Sequence, residues 1–195
     1  MKIRPLLFSV LVIMFATTGC LFSPDSSDDG DPPPVDPHVF PDTADKLVRN
    51  FERYYGERNL ERYREVLSED YRFINQDNSE YNYDRELEIA DQMFNEVAGD
   101  GGIAFTEINV EFLNPLGPWE PTPGNDPYFG GAEGSLKRDC DVSIRFKVAG
   151  EDLWFVVGGL VKFYVTTRDV EVDGATRTKY ELLGQHDQTE GGDGG

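Results

Sequence analysis

Histidine and cysteine are nearly missing from this chain: each occurs twice in 195 residues. Two cysteines cannot build the disulfide framework of a small secreted scaffold, and no paired-cysteine metal or redox motif is present. Basic residues are also scarce, 18 Lys and Arg against 37 Asp and Glu, for a formal charge of -19. So acidic a surface repels phosphate, which excludes nucleic acid and bare anionic membrane as partners; the acidity itself reads as solubility or adaptation to salt. The chain contains no G-x-G-x-x-G, P-loop, H-E-x-x-H or G-x-S-x-G motif, so no cofactor and no metal is expected. A long hydrophobic run is absent too. The greasiest stretch, Leu6 to Ala16, has 11 residues, short of the roughly 17–25 that a membrane-spanning helix needs.

That stretch follows Lys2 and Arg4 and runs into the small residues of "TTGC", Thr17 to Cys20. A positive start, a short apolar middle and small residues at the end have the proportions of a secretory signal. The segment resembles the lipobox of bacterial lipoproteins, in which small residues precede a cysteine that is acylated and becomes residue one. Thr18, Gly19 and Cys20 fit; Thr17 departs from the pattern, which favours an aliphatic residue there. The resemblance implies a signal peptide over 1–19, lipid on Cys20 and a lipid-anchored place in the bacterial cell envelope. Leu21 in place of an aspartate points to the outer membrane or to a periplasm-facing position. Several acyl chains are needed for stable anchoring, since one holds only marginally. Losing residues 1–19 removes Lys2 and Arg4 and no acid, so the mature chain is more negative by two charges.

Residues 20–41 read as the lipidated cysteine and a disordered tether. Residues 21–41 hold five aspartates and six prolines and neither Lys nor Arg. Such a composition builds no core and extends, reaching about 25 Å as a coil and about 70 Å when stretched. Asp25, Ser27, Asp29, Gly30 and Asp36 share the spacing of a calcium loop. However, Asp36 stands where glutamate is required and Pro32–Pro34 interrupt the loop, so no metal is assigned. His38 falls in the tether without an expected partner. At the other end, residues 189–195 form a Gly-rich disordered tail.

The body, 42–188, begins with helical spacing. Asp42 or Thr43 can cap a helix after Pro41, and Ala44, Leu47, Val48, Phe51, Tyr54 and Tyr55 recur at intervals of three and four. Asn59 can cap a second, short helix with Leu60, Tyr63 and Leu67 on one face. Tyr71–Ile74 reads as a short strand. A third helix starts at Asp84 and turns Leu87, Ala90, Met93, Phe94 and Val97 inward. Beyond Gly102 the period becomes two. Thr106, Ile108, Val110 and Phe112 alternate with polar residues, as do Cys140, Val142, Ile144, Phe146 and Val148. Cys140 therefore reads as a packing residue. Leu153–Val165 is apolar on both phases and predicts a strand covered on both faces, with a bulge or bend at Gly158-Gly159. Asp173-Gly174 signals a hairpin into a last strand with Tyr180, Leu182, Gly184 and His186 on one side.

Three helices followed by long antiparallel strands predict an α+β domain whose mostly antiparallel sheet curves around the helices. The order of "LVRNFERYYGERNLERYREVLSEDYRFI", "DRELEIADQMF" and the closing "YELLGQHDQ" resembles the NTF2-like superfamily, also called SnoaL-like, a cone-shaped fold. One stretch departs from that pattern: residues 114–135, rich in Gly, Pro and aromatics, predict a long loop. Its Trp119, Tyr128 and Phe129 would cover the cone mouth, meet a partner, or pack on the domain's own surface.

The resemblance implies a pocket between helices and sheet, where some members use Asp, Glu or His for acid–base chemistry. Asp70 and His186 are the catalytic candidates, and Tyr54, Tyr55, Tyr71 and Tyr180 the pocket candidates. His186 and Asp187 are neighbours on a strand and face opposite ways, so they cannot share one pocket. Three readings follow. The first is a membrane-anchored lipoprotein whose domain binds a small apolar ligand or an envelope protein without catalysis. The second is a metal-free isomerase, dehydratase or cyclase. The third is an envelope accessory module that uses loop 114–135. A second copy of the chain, as a homodimer, also belongs among the partners to expect.

The lipobox reading is tested by Cys20→Ala. Cells fed labelled palmitate are expected to mark the wild-type chain and leave the variant unmarked; equal labelling of both would refute it.

Overall fold

The structure, a computed structural model, describes residues 38–96 and 104–188, without the side chains of residues 112–114. The chain divides after Asp36, and all described residues belong to the second unit. The expected signal peptide, Cys20, most of the expected tether, Val97 and residues 189–195 lie outside the described residues.

Helix α1 spans Ala44–Gly56, and Thr43 caps it, its hydroxyl accepting from the Lys46 amide. All six residues of the predicted stripe are buried. Helix α2, Leu60–Val66, is capped by Asn59 and buries Tyr63 and Val66. It stops before Leu67, which opens strand β1, Leu67–Ile74, so that strand is longer than its Tyr71–Ile74 core. After a short β2, Glu80–Asn82, helix α3 runs Tyr83–Phe94 under an Asn82 cap. Four long strands follow: β3 Phe105–Pro121, β4 Leu136–Val148, β5 Trp154–Val172 and β6 Ala175–Asp187. They form one six-stranded sheet in the order β2-β1-β6-β5-β4-β3, antiparallel throughout except for β1 beside β6. The helices cover one face. Leu47, Phe51, Tyr63, Ala90 and Phe94 meet Val110, Cys140, Val142, Phe163 and Leu182 in the main core. Cys140 is a fully buried free thiol.

The long loop is shorter than its sequence implies. Residues 114–121 continue β3 and pair with Leu136–Asp141 of β4. Prolines normally end strands because they lack a ladder donor, but β3 is the edge strand, where one side needs no partner. Register shifts beside Asn114 and Leu116 absorb Pro115, Gly117 and Pro118. The true loop, residues 122–135, forms no lid over the helix-covered face. It folds onto the opposite one, where Phe129 packs with Ile74, Tyr164 and Leu183 in a second core. The Asp126 carboxylate organises it, accepting from the Tyr128 and Phe129 amides at 3.1 Å each and from the Tyr164 hydroxyl at 3.2 Å. Arg72 donates to the Tyr128 carbonyl and lies over the Phe129 ring. Trp119, on β3, donates to Asp45 at the start of α1 and lies under the guanidinium of Arg138 on β4, which also donates to Asp45.

Two readings of β5 also change. Residues 154–160 are not covered on both faces: Phe155, Val156 and Val157 are 42%, 63% and 58% exposed. The reason is length, because β6 reaches β5 only from Val161, opposite Asp187. The β4–β5 ladder passes through Gly158-Gly159 without a bulge. The irregularity sits instead at Tyr164/Val165, opposite Gly184 and Leu182, and inserts Leu183 as an extra residue in β6.

The domain also begins earlier than Asp42. Val39 accepts from Asn50 Nδ2 at 2.6 Å, Pro41 from the Tyr180 amide at 2.8 Å, and Arg177 lies over Phe40. His38 has a partner after all, the Tyr54 hydroxyl at 3.0 Å.

Gly184 faces the second core, where an added Cβ would overlap the Phe129 ring and the Arg72 carbonyl. Gly184→Ala is expected to cost about 2 kcal/mol through overpacking, read from urea unfolding followed by circular dichroism.

Candidate functional site

Aromatic rings are bulky and rigid, and those of α1 and α2 do not fill the space beneath so long a sheet. A cavity of about 320 Å³ remains between the three helices and the helix-facing side of β4, β5 and β6. Phe51, Tyr55, Tyr63, Phe73, Tyr81 and Phe163 supply its aromatic walls, and Val110, Val142, Ile144 and Ile89 much of the aliphatic remainder. The rings hold one another in place. Tyr63 packs at 5.4–5.6 Å from Phe51, Tyr55 and Phe94, and Phe73 stacks on Tyr81 at 5.7 Å.

One carboxyl group is buried in this wall. Glu86, in the first turn of α3, is 8% exposed. The Tyr63 hydroxyl donates to Glu86 Oε1 at 2.6 Å. Burial disfavours the charged form and pushes the Glu86 carboxyl upward in pKa, while the Tyr63 bond pulls in the opposite direction. Burial likewise raises the phenols of Tyr55, Tyr63 and Tyr71, with the Glu86 charge adding to each. Further round, the Tyr71 hydroxyl donates to Gln185 Oε1 at 2.7 Å. Tyr55 reaches only the Met93 sulfur, at 3.6 Å. Asn75 accepts from Tyr81, and Asp187 from Gln76.

Neither catalytic candidate lies here. Asp70 is exposed, its amide donating to the Ser68 hydroxyl, in a groove of the opposite face beside Tyr128 and Phe129. His186 is on that face too, its ring 4.6 Å from that of Tyr128. Burial, then Lys162, lowers its pKa. The cause is the extra residue in β6. Leu182 points into the main core, the strand takes up Leu183, and the alternation resumes in the other phase. Gln185 and Asp187 consequently line the cavity, and Gly184 and His186 face away from it. Among the pocket candidates Tyr55 lines the cavity, and Tyr71 touches it through Gln185. Tyr54 lies instead beneath His38, and Tyr180 is half-buried at the core margin. Among the described residues no three His, Cys, Asp or Glu side chains gather to hold a metal.

Sequence reasoning missed Glu86 and Gln185. A signal for Glu86 existed: it precedes Ala90 and Met93 by four and seven residues, which puts a carboxylate in phase with the apolar stripe of α3.

Glu86 also ties stability to pH. Its folded form keeps a proton above about pH 4.3, where the unfolded chain releases it. In that window the unfolded state binds fewer protons, so stability falls as pH rises. Glu86→Gln keeps an acceptor for Tyr63 and removes the penalty. The variant is expected to be more stable than wild type at pH 7, by on the order of 1 kcal/mol, with the gap closing toward pH 4. Thermal unfolding from pH 4 to 7 measures it.

No family model and no curated protein matches the chain. Solved structures do. A scytalone-dehydratase-like protein of Novosphingobium aromaticivorans is 12% identical over 75% of this chain and 80% of its own, with a TM-score of 0.50. A type 2 hexachlorocyclohexane dehydrochlorinase, LinA, is 10% identical over 74% and 80%, with a TM-score of 0.48. An NTF2-like superfamily protein of Salmonella enterica is 10% identical over 76% and 91%, with a TM-score of 0.47. At such identities the likeness concerns the backbone alone: helices on one face of a curved mixed sheet, which is the NTF2-like fold.

Proposed function

We propose that this domain binds a small, mainly apolar molecule in the cavity, and that lipid on Cys20 holds it at the bacterial envelope. The observation that carries the binding reading is the cavity itself. It is already open, walled by rings and aliphatic chains, and carries a few polar groups at fixed places. The anchoring half rests on the N-terminal pattern, Lys2 to Cys20. Binding without catalysis is favoured because Asp70 and His186 lie on the other side of the sheet.

Glu86 supports a second reading, an acid–base enzyme. A carboxyl whose burial raises its pKa suits proton transfer, and one structural neighbour is described as scytalone-dehydratase-like. The accessory-module reading loses its free arm, since Trp119, Tyr128 and Phe129 are bound to the domain itself.

N-phenyl-1-naphthylamine, a dye that brightens in apolar surroundings, tests the binding reading on the mature chain. Saturable brightening is expected, with a dissociation constant on the order of 10 µM. Ile89→Trp, which fills the cavity, is expected to abolish it while leaving the unfolding midpoint within a few degrees. Equal brightening by both proteins would overturn the cavity as the site.

A further inference from the structure

The cavity has an unusual electrical character. Among the described residues its lining includes two carboxyl groups, Glu86 and Asp187, and no Lys, Arg or His. Among the described residues no cationic side chain pairs with Glu86; burial and the Tyr63 hydroxyl act on its proton. Tyr63 occupies Oε1. Among the described residues no hydrogen bond is made to Oε2, and Glu86 lines the cavity. The phenols that feel the Glu86 charge, Tyr55 on α1, Tyr63 on α2 and Tyr71 on β1, supply no positive charge.

A buried carboxyl either keeps its proton or ionises against a partner of opposite charge. The walls say what kind of charge. Six aromatic rings line the same space, and ring faces attract cations. An organic anion would meet the Glu86 carboxyl, and among the described residues the lining offers it no Lys, Arg or His. An inorganic cation would need several oxygen ligands, and most of this lining is hydrocarbon. We propose that the occupant is a small apolar amine carrying one positive charge, its ammonium paired with Glu86 Oε2 and its hydrocarbon body against the rings. This inference rests on the cavity being a ligand site and adds the charge class of the ligand.

Three probes with one hydrocarbon cage separate the charges: 1-aminoadamantane, 1-adamantanol and 1-adamantanecarboxylate. Each is titrated calorimetrically into the mature chain at pH 7 and low salt. The amine is expected to bind about tenfold or more tightly than the alcohol, and the carboxylate not to bind measurably. In Glu86→Gln the amine should fall to the affinity of the alcohol while the alcohol keeps its own, which also reports that the variant is folded. The large negative charge of the mature chain attracts any cation weakly, but one substitution barely alters that background. An amine preference that survives Glu86→Gln therefore overturns the proposal. An alcohol that binds as tightly as the amine overturns it too, while leaving the apolar binding site in place. Failure of all three probes to bind overturns both.

Discussion

Tyr63 is fully buried, so its hydroxyl must find an acceptor inside the protein or forfeit a hydrogen bond to water. The acceptor it finds is Glu86. The dependence is mutual, because Glu86 could not sit in an aromatic wall without a donor. This bond joins α2 to α3 and sets which way the first turn of α3 faces. It also holds a carboxyl group against the rings of Phe51, Tyr55 and Phe94, which pack around Tyr63. A leucine at position 86 would give a drier core and a cavity with no charge of its own at that wall. The polar character of the site is thus set inside the helical layer.

The sheet contributes by sorting residues to its two faces. One face carries Phe163, Gln185 and Asp187 toward the cavity, and the other carries Tyr164, Gly184 and His186 toward loop 122–135. The loop is a second layer in miniature. Phe129 needs the space that only a glycine at 184 leaves, and Asp126 fixes the backbone that delivers it. Burying that ring gives the far side of the sheet a core of its own. An apolar cluster there spares the domain a bare face and leaves the helical side free to keep a void.

How much of this was legible in the sequence follows from the range of the forces involved. Helix α1 could be read almost residue by residue, because a stripe at three- and four-residue spacing and a Thr43 cap are local facts. The α+β class and the Asp173-Gly174 hairpin are of the same kind. The continuation of β3 through Pro115 and Pro118 was not legible, because it depends on β3 being an edge strand. The side on which His186 falls depends on one inserted residue, Leu183, which only the register against β5 reveals. Glu86 left a faint trace, a carboxylate in phase with an apolar stripe, but first-turn acids are common on solvated helices, so the position alone does not declare it buried.

The short reach of β6 has a consequence for the protein in solution. Among the described residues, no strand pairs with the free edge of Trp154–Gly159, and this stretch carries no charge and no proline. Those are the features with which soluble proteins usually discourage a neighbouring strand. What opposes such pairing is the acidity of the molecule as a whole, which repels a second copy at a distance. That repulsion extends about 10 Å at 0.1 M salt but only about 3 Å at 1 M. The composition noted at the outset therefore also bears on one exposed ribbon, and rising ionic strength screens the repulsion that opposes its pairing.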